Sequence, residues 1–137
     1  MLECMILGDS IAVGTKVHLS KCSAVAESGI SSKGYNNKFG NVDANAKYII
    51  ISLGSNDYRN IKTLQELESL RSKIVTDRVY WILPAIKPHV QEAVRQVAKD
   101  NNDTIIEIKY LQQDKVHPTA KGYKQIISEI NHERETR

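Results

Sequence analysis

Two short stretches of this chain, Tyr48–Leu53 (YIIISL) and Val79–Leu83 (VYWIL), are apolar at nearly every position. A strand with one wet face alternates polar and apolar residues, whereas a strand apolar throughout must be covered on both faces. That situation belongs to a parallel sheet lying between layers of helices. Three further runs rich in small or β-branched apolar residues fit the same role: Cys4–Leu7, Ser23–Ala26 and Thr104–Ile108. Between the runs the apolar period lengthens to that of a helix. Thr63–Lys73 carries Leu64, Leu67 and Leu70, with Ile74 just beyond. Pro88–Lys99 carries Val90, Ala93, Val94, Val97 and Ala98, with Pro88 suited to a first helical turn. A last helix from about Thr119 to Asn131 gathers Tyr123, Ile126, Ile127 and Ile130. Strands alternating with helices give an α/β fold, read as one domain over residues 1–137.

In such folds ligands bind beyond the carboxyl ends of the strands, near the point where strand order reverses. The polar and glycine-rich clusters follow strands here. Gly8-Asp9-Ser10 follows the first, Ser28-Gly29 the second, Gly54-Ser55-Asn56-Asp57 the third, and Asp114-Lys115-Val116-His117 comes shortly after the fifth. Candidate chemistry therefore gathers at one rim.

A serine hydroxyl becomes a useful nucleophile only when a base takes its proton, and that base needs a third group to orient it. Ser10, in a tight turn directly after a strand, has the placement of a nucleophile; alone, the tripeptide is equally a helix cap. Asp114 and His117, close to one helical turn apart, allow the carboxylate to hold one ring nitrogen while the other faces the serine; a helix-entry loop capped by Asp114 and Thr119 is the plainer alternative. Pro118 would fix the backbone where the last helix begins. Three donors at the rim could meet a developing oxyanion: the N–H of Ser10, the N–H of Gly29 and the side-chain amide of Asn56. His18, His89 and His132 lack such partners and are expected on the surface.

These four blocks, in this order, resemble the signature blocks of the SGNH (GDSL-type) hydrolases, and the surrounding IISLGSND and HPTAKGY stretches are similar to family text. The resemblance implies a three-layer α/β/α sandwich, flavodoxin-like, with a five-stranded parallel sheet in the order 2-1-3-4-5. It implies Ser10 as nucleophile, His117 as base, Asp114 as the residue orienting His117, and Gly29 and Asn56 with the Ser10 amide as the oxyanion hole. Gly34 is the fallback for the second block. The span from Ser10 to Gly29 leaves little space for a full helix after the nucleophile. The compact layout is similar to short phage-encoded members. Without sequence for a lid or inserted domain, a small acyl group such as acetyl on a larger alcohol or sugar is the expected substrate, with Tyr35, Tyr58 and Arg59 lining the groove. A non-catalytic relative that binds a sugar or protein partner is the alternative.

Composition narrows the other classes. Nineteen basic and 16 acidic residues leave a net charge of +3, scattered rather than patched, so no nucleic-acid partner is expected. The mixed charges of Glu129–Arg137 read as a solvated helix end. No apolar run is long enough to span a bilayer. Strand-like sequence begins almost at Met1, leaving no room for a signal peptide, so the chain is expected to work in the cytoplasm unless carried out by another route. Gly8–Gly14 lacks the spacing and lysine of a P-loop, and the dinucleotide fingerprint is absent. No metal-ligand spacing occurs and no cofactor is expected. Cys4 and Cys22 come close if the first two strands pair, but buried free thiols are the expected state. Oligomeric state is not legible.

Overall fold

A computed structural model describes residues 1–136. The strands are β1 (Leu2–Gly8), β2 (Ser23–Ala26), β3 (Ala46–Ser52), β4 (Arg78–Ile82) and β5 (Thr104–Ile106). The helices are α1 (Ser10–His18), α2 (Ser32–Phe39), α3 (Thr63–Ser72), α4 (Pro88–Asp100) and α5 (Ala120–Glu135). Among the described residues all four strand pairings are parallel and the order is β2-β1-β3-β4-β5, the order that the resemblance implies. The order reverses between β1 and β3, the strands that end at Gly8-Asp9-Ser10 and at Gly54–Asp57.

The two-residue period of the strands sorts the core into two layers. Met5, Leu7, Ile49, Ile51, Val79 and Trp81 pack with Tyr35 of α2, Leu67 and Leu70 of α3, and Val90, Val94 and Val97 of α4. Cys4, Ile6, Tyr48, Ile50, Tyr80 and Ile82 face Ile11 and Ala12 of α1 and Tyr123, Ile126 and Ile130 of α5. Both faces of β3 are thus covered, which is why its sequence does not alternate.

Several details depart from the sequence reading. Cys4 and Cys22 are joined in a disulfide rather than held as free thiols. The register Met5↔Ser23 sets the residues just before them side by side, with Cα atoms 4.8 Å apart. The helix after Ser10 has nine residues despite the short span. Helix α2 was not expected, because SKGYNNKF offers only Tyr35 and Phe39 as an apolar pair. It is held at its start by polar caps: Ser31 Oγ accepts from Gly34 N–H, and Asp57 accepts from Ser32 N–H. Strand β5 stops at Ile106 rather than Ile108, and the Lys109 N–H is met by the Gln125 side chain instead of a strand. Helix α5 runs past Asn131 to Glu135; the final residue of the charged tail, Arg137, lies outside the described residues. No helix is long and apolar enough to cross a membrane among the described residues.

Candidate active site

Gly8 ends β1 so close to β3 that a Cβ there would stand 1.8 Å from the Ser52 carbonyl oxygen, and its φ of +142° is one that side chains disfavour. The next amide, Asp9 N–H, donates to that same carbonyl at 3.0 Å. Asp9 then caps α1, its Oδ1 accepting from Ile11 N–H at 3.0 Å and from Ser52 Oγ at 3.1 Å. The turn delivers Ser10 as the first residue of α1, where helix N–H groups lack intrahelical partners and the helix dipole is positive.

His117 arrives on a different kind of support. Leu111 and Pro118 form an antiparallel bridge, and Gln112 N–H donates to His117 O at 2.8 Å, so residues 112–117 form a pinched loop. Asp114 and His117 therefore meet across a turn rather than along a helix, with Lys115 at φ +61° making the reversal. Asp114 Oδ1 accepts from Val116 N–H (2.9 Å) and His117 N–H (3.0 Å), while Oδ2 lies 2.6 Å from His117 Nδ1. The backbone donors, His117 first and Val116 next, hold the Asp114 carboxyl down to about 2. A carboxylate ionised at neutral pH only accepts, so Nδ1 carries the ring proton. In the neutral imidazole Nε2 is then the acceptor, and it lies 2.9 Å from Ser10 Oγ. The three residues named from the sequence are joined in one chain of hydrogen bonds.

The other two blocks form the neighbouring rim. Gly29 is exposed at φ +82° in a turn closed by Ile30 N–H to Glu27 O, and a Cβ there would meet nothing within 4 Å. Glu27 N–H in turn donates to Gly8 O at 2.9 Å, tying this loop to the end of β1. Asn56 donates one Nδ2–H to Ile30 O at 3.1 Å, which links the third block to the second. Asp57, fully buried, accepts from Ser32 N–H (2.8 Å), Ser32 Oγ (2.6 Å) and Thr63 Oγ1 (2.7 Å), fastening the starts of α2 and α3 together.

Of the groove candidates, Tyr35 is corrected. It is buried in the core, with its hydroxyl donating to Val25 O at 2.7 Å and its acidity suppressed by burial. A tyrosine one turn into α2 faces the sheet, so its place near the second block in sequence does not bring it to the rim. Tyr58 is 73% exposed and Arg59 is also exposed. His89 and His132 are exposed, and His18 is half-buried, stacked on Tyr123 with centroids 5.1 Å apart.

Two polar residues of the site were not singled out from the sequence. Asp9 is fully buried, its Oδ2 has no hydrogen-bond partner among the described residues, and burial raises its carboxyl to about 6. Lys87, between β4 and α4, reaches the third block with its ammonium; no sequence signal marks it. Asp114 and His117 side chains keep 46% and 38% of their surface exposed, so the site is open to water. Two clefts lie elsewhere. One of about 480 Å³ is lined by His18 and α5 residues including Lys124 and His132, and one of about 470 Å³ by Leu64 and α4 residues; neither touches the Ser10–His117–Asp114 chain.

No family model matches the sequence, nor does any curated protein. Solved structures do resemble it. A "putative acylhydrolase" from Bacteroides fragilis superposes with a TM-score of 0.68 at 16% identity, covering 98% of this chain and 87% of that one. The C-terminal catalytic domain of peptidoglycan O-acetyltransferase A from Streptococcus pneumoniae, determined with a methylsulfonyl adduct, superposes with a TM-score of 0.66 at 17% identity, covering 98% and 93%. At these identities the likeness establishes the fold.

Proposed function

We propose that this chain is a serine esterase that hydrolyses short acyl esters, resembling the SGNH (GDSL-type) hydrolases in mechanism. The observation that carries the reading is the unbroken relay from Ser10 Oγ through His117 Nε2 (2.9 Å) and His117 Nδ1 to Asp114 Oδ2 (2.6 Å). Ser10 Oγ attacks the ester carbonyl while His117 Nε2 takes its proton, and Asp114 stabilises the imidazolium that forms. The tetrahedral oxyanion is met by the Ser10 amide at the start of α1, the Gly29 amide and the second N–H of the Asn56 amide, whose first is held by Ile30. His117 returns its proton to the leaving alkoxide, giving the alcohol and an acyl-serine. Water, activated by the same imidazole, then releases the acid and restores Ser10.

The exposure of the Asp114 and His117 side chains supports a small acyl group, such as acetyl, on a larger alcohol or carbohydrate. Both structural relatives carry names of acyl-group enzymes, which supports the reaction class. The continuous hydrogen bonding of Ser10, His117 and Asp114 supports the catalytic reading over a non-catalytic binding module. The Cys4–Cys22 bond favours an oxidising compartment over the cytoplasm. The test compares 4-nitrophenyl acetate with the octanoate and palmitate esters for the native enzyme and Ser10→Ala. Acetate turned over fastest, with all activity lost in the variant, is expected. Faster cleavage of the long chains would overturn the acyl preference, and activity kept by Ser10→Ala would overturn the mechanism.

A further inference from the structure

Lys87 occupies an unusual position. It is the residue before α4, with φ +65° and ψ 88°, a left-handed conformation uncommon for a residue with a long side chain. Its side chain makes no cap for its own helix. Instead the half-buried ammonium crosses to the loop after β3, donating to Ser55 O at 2.8 Å and to Asp57 O at 2.9 Å, and stands 5.5 Å from the centroid of the exposed Tyr58 ring. The two carbonyls lie on either side of Asn56.

We propose that Lys87 is a positioning residue for Asn56, a role that rests on the acyl-transfer reading of the site. The turn around Asn56 is closed by Asp57 N–H donating to Gly54 O at 3.0 Å, and its side chains add little further hold on the backbone. The Ser55 hydroxyl is buried without a hydrogen-bond partner among the described residues, so Ser55 is fixed through its carbonyl rather than its side chain. The Asp57 carboxylate is engaged in the opposite direction, toward Ser32 and Thr63. Asn56 itself is held by one N–H to Ile30 O. A cation bonded to both flanking carbonyls closes the remaining freedom, with charge-assisted hydrogen bonds stronger than neutral ones. Strained backbone of the kind seen at Lys87 persists where surrounding contacts over-determine it, and it gathers at functional sites. An oxyanion donor must be placed to a fraction of an ångström, since a shift of about 1 Å can cost up to about a hundredfold in rate. The clamp therefore acts on turnover more than on binding.

The experiment is a double-mutant cycle with 4-nitrophenyl acetate on the full chain: native, Lys87→Met, Asn56→Ala and the double variant, with thermal unfolding recorded for each. Lys87→Gly is added because it removes the ammonium while relaxing the left-handed backbone. It also keeps the cycle available if Lys87→Met does not fold. Both Lys87 variants are expected to lose about tenfold or more in kcat with KM within about twofold, and the double variant to be no slower than Asn56→Ala alone. A full rate in Lys87→Gly and Lys87→Met while Asn56→Ala is slow would overturn the clamp and leave the oxyanion assignment standing. Losses that multiply in the double variant would also overturn it, since Lys87 would then act other than through Asn56. A full rate in Asn56→Ala would remove Asn56 from the oxyanion hole and the proposal with it.

Discussion

Asp9 sits beside Ser10, fully buried, and its replacement by asparagine gives a sharp test of the site's electrostatics. Burial raises its carboxyl from 3.8 to about 6, against the opposing pull of hydrogen bonds from Ile11 N–H and Ser52 Oγ. The folded protein therefore holds this proton more tightly than the unfolded chain. The stability it contributes is fully present below pH 3.8 and is lost as pH rises through about 6. The shift corresponds to about 3 kcal/mol, of which about 2 kcal/mol is lost between pH 4 and 7. Asp9→Asn keeps the acceptor that caps α1 and removes the titration, at the cost of an amide facing the place where Oδ2 has no partner. That cost is independent of pH. Urea unfolding of both proteins at pH 4, 5, 6 and 7 isolates the effect, because other titrating groups cancel in the difference. Stability of the native protein relative to the variant should fall by about 2 kcal/mol across the range. A flat difference would refute the reasoning, and a rising one would mean the carboxylate has a counter-charge that the geometry does not contain.

Ser10→Ala and His117→Ala should each lower kcat by several orders of magnitude, and the double variant should be little worse than either, because the relay acts as a unit; a double loss equal to the product would contradict this. Asp114→Asn should cut turnover at neutral pH by roughly three to four orders of magnitude with KM little changed, since an amide can present an N–H to Nδ1 and reverse the tautomer; near-native kcat would remove Asp114 from the relay. Reduction of the Cys4–Cys22 disulfide, which spans a sequence separation of 18, should lower stability by about 3 kcal/mol in a chemical-denaturation assay. Two titratable thiols in the unfolded, non-reduced chain would contradict the bond.

The architecture was legible because burial on both faces writes itself into β3 and β4 as unbroken apolar runs. The candidate site was legible because three of its four blocks closely follow strands and the fourth comes after the last strand. What stayed hidden depends on registers and loop paths that no local pattern encodes. The cysteine pairing needed the β1–β2 register, and α2 has caps in place of an apolar stripe. Tyr35 could be told from a rim residue only once its helix was set against the sheet. Lys87 lies between two unremarkable elements, and its reach to Ser55 and Asp57 exists only because β3 and β4 are neighbours. Asp9 was in view as part of Gly8-Asp9-Ser10, yet its unpartnered oxygen and raised pKa are products of tertiary burial.

The central claim, that Ser10 is activated by His117, is tested most directly by labelling the folded protein with a fluorophosphonate and locating the adduct by mass spectrometry. The account predicts stoichiometric modification at Ser10, abolished in His117→Ala although the serine remains. Absence of labelling in the native protein, or equal labelling in His117→Ala, would contradict it.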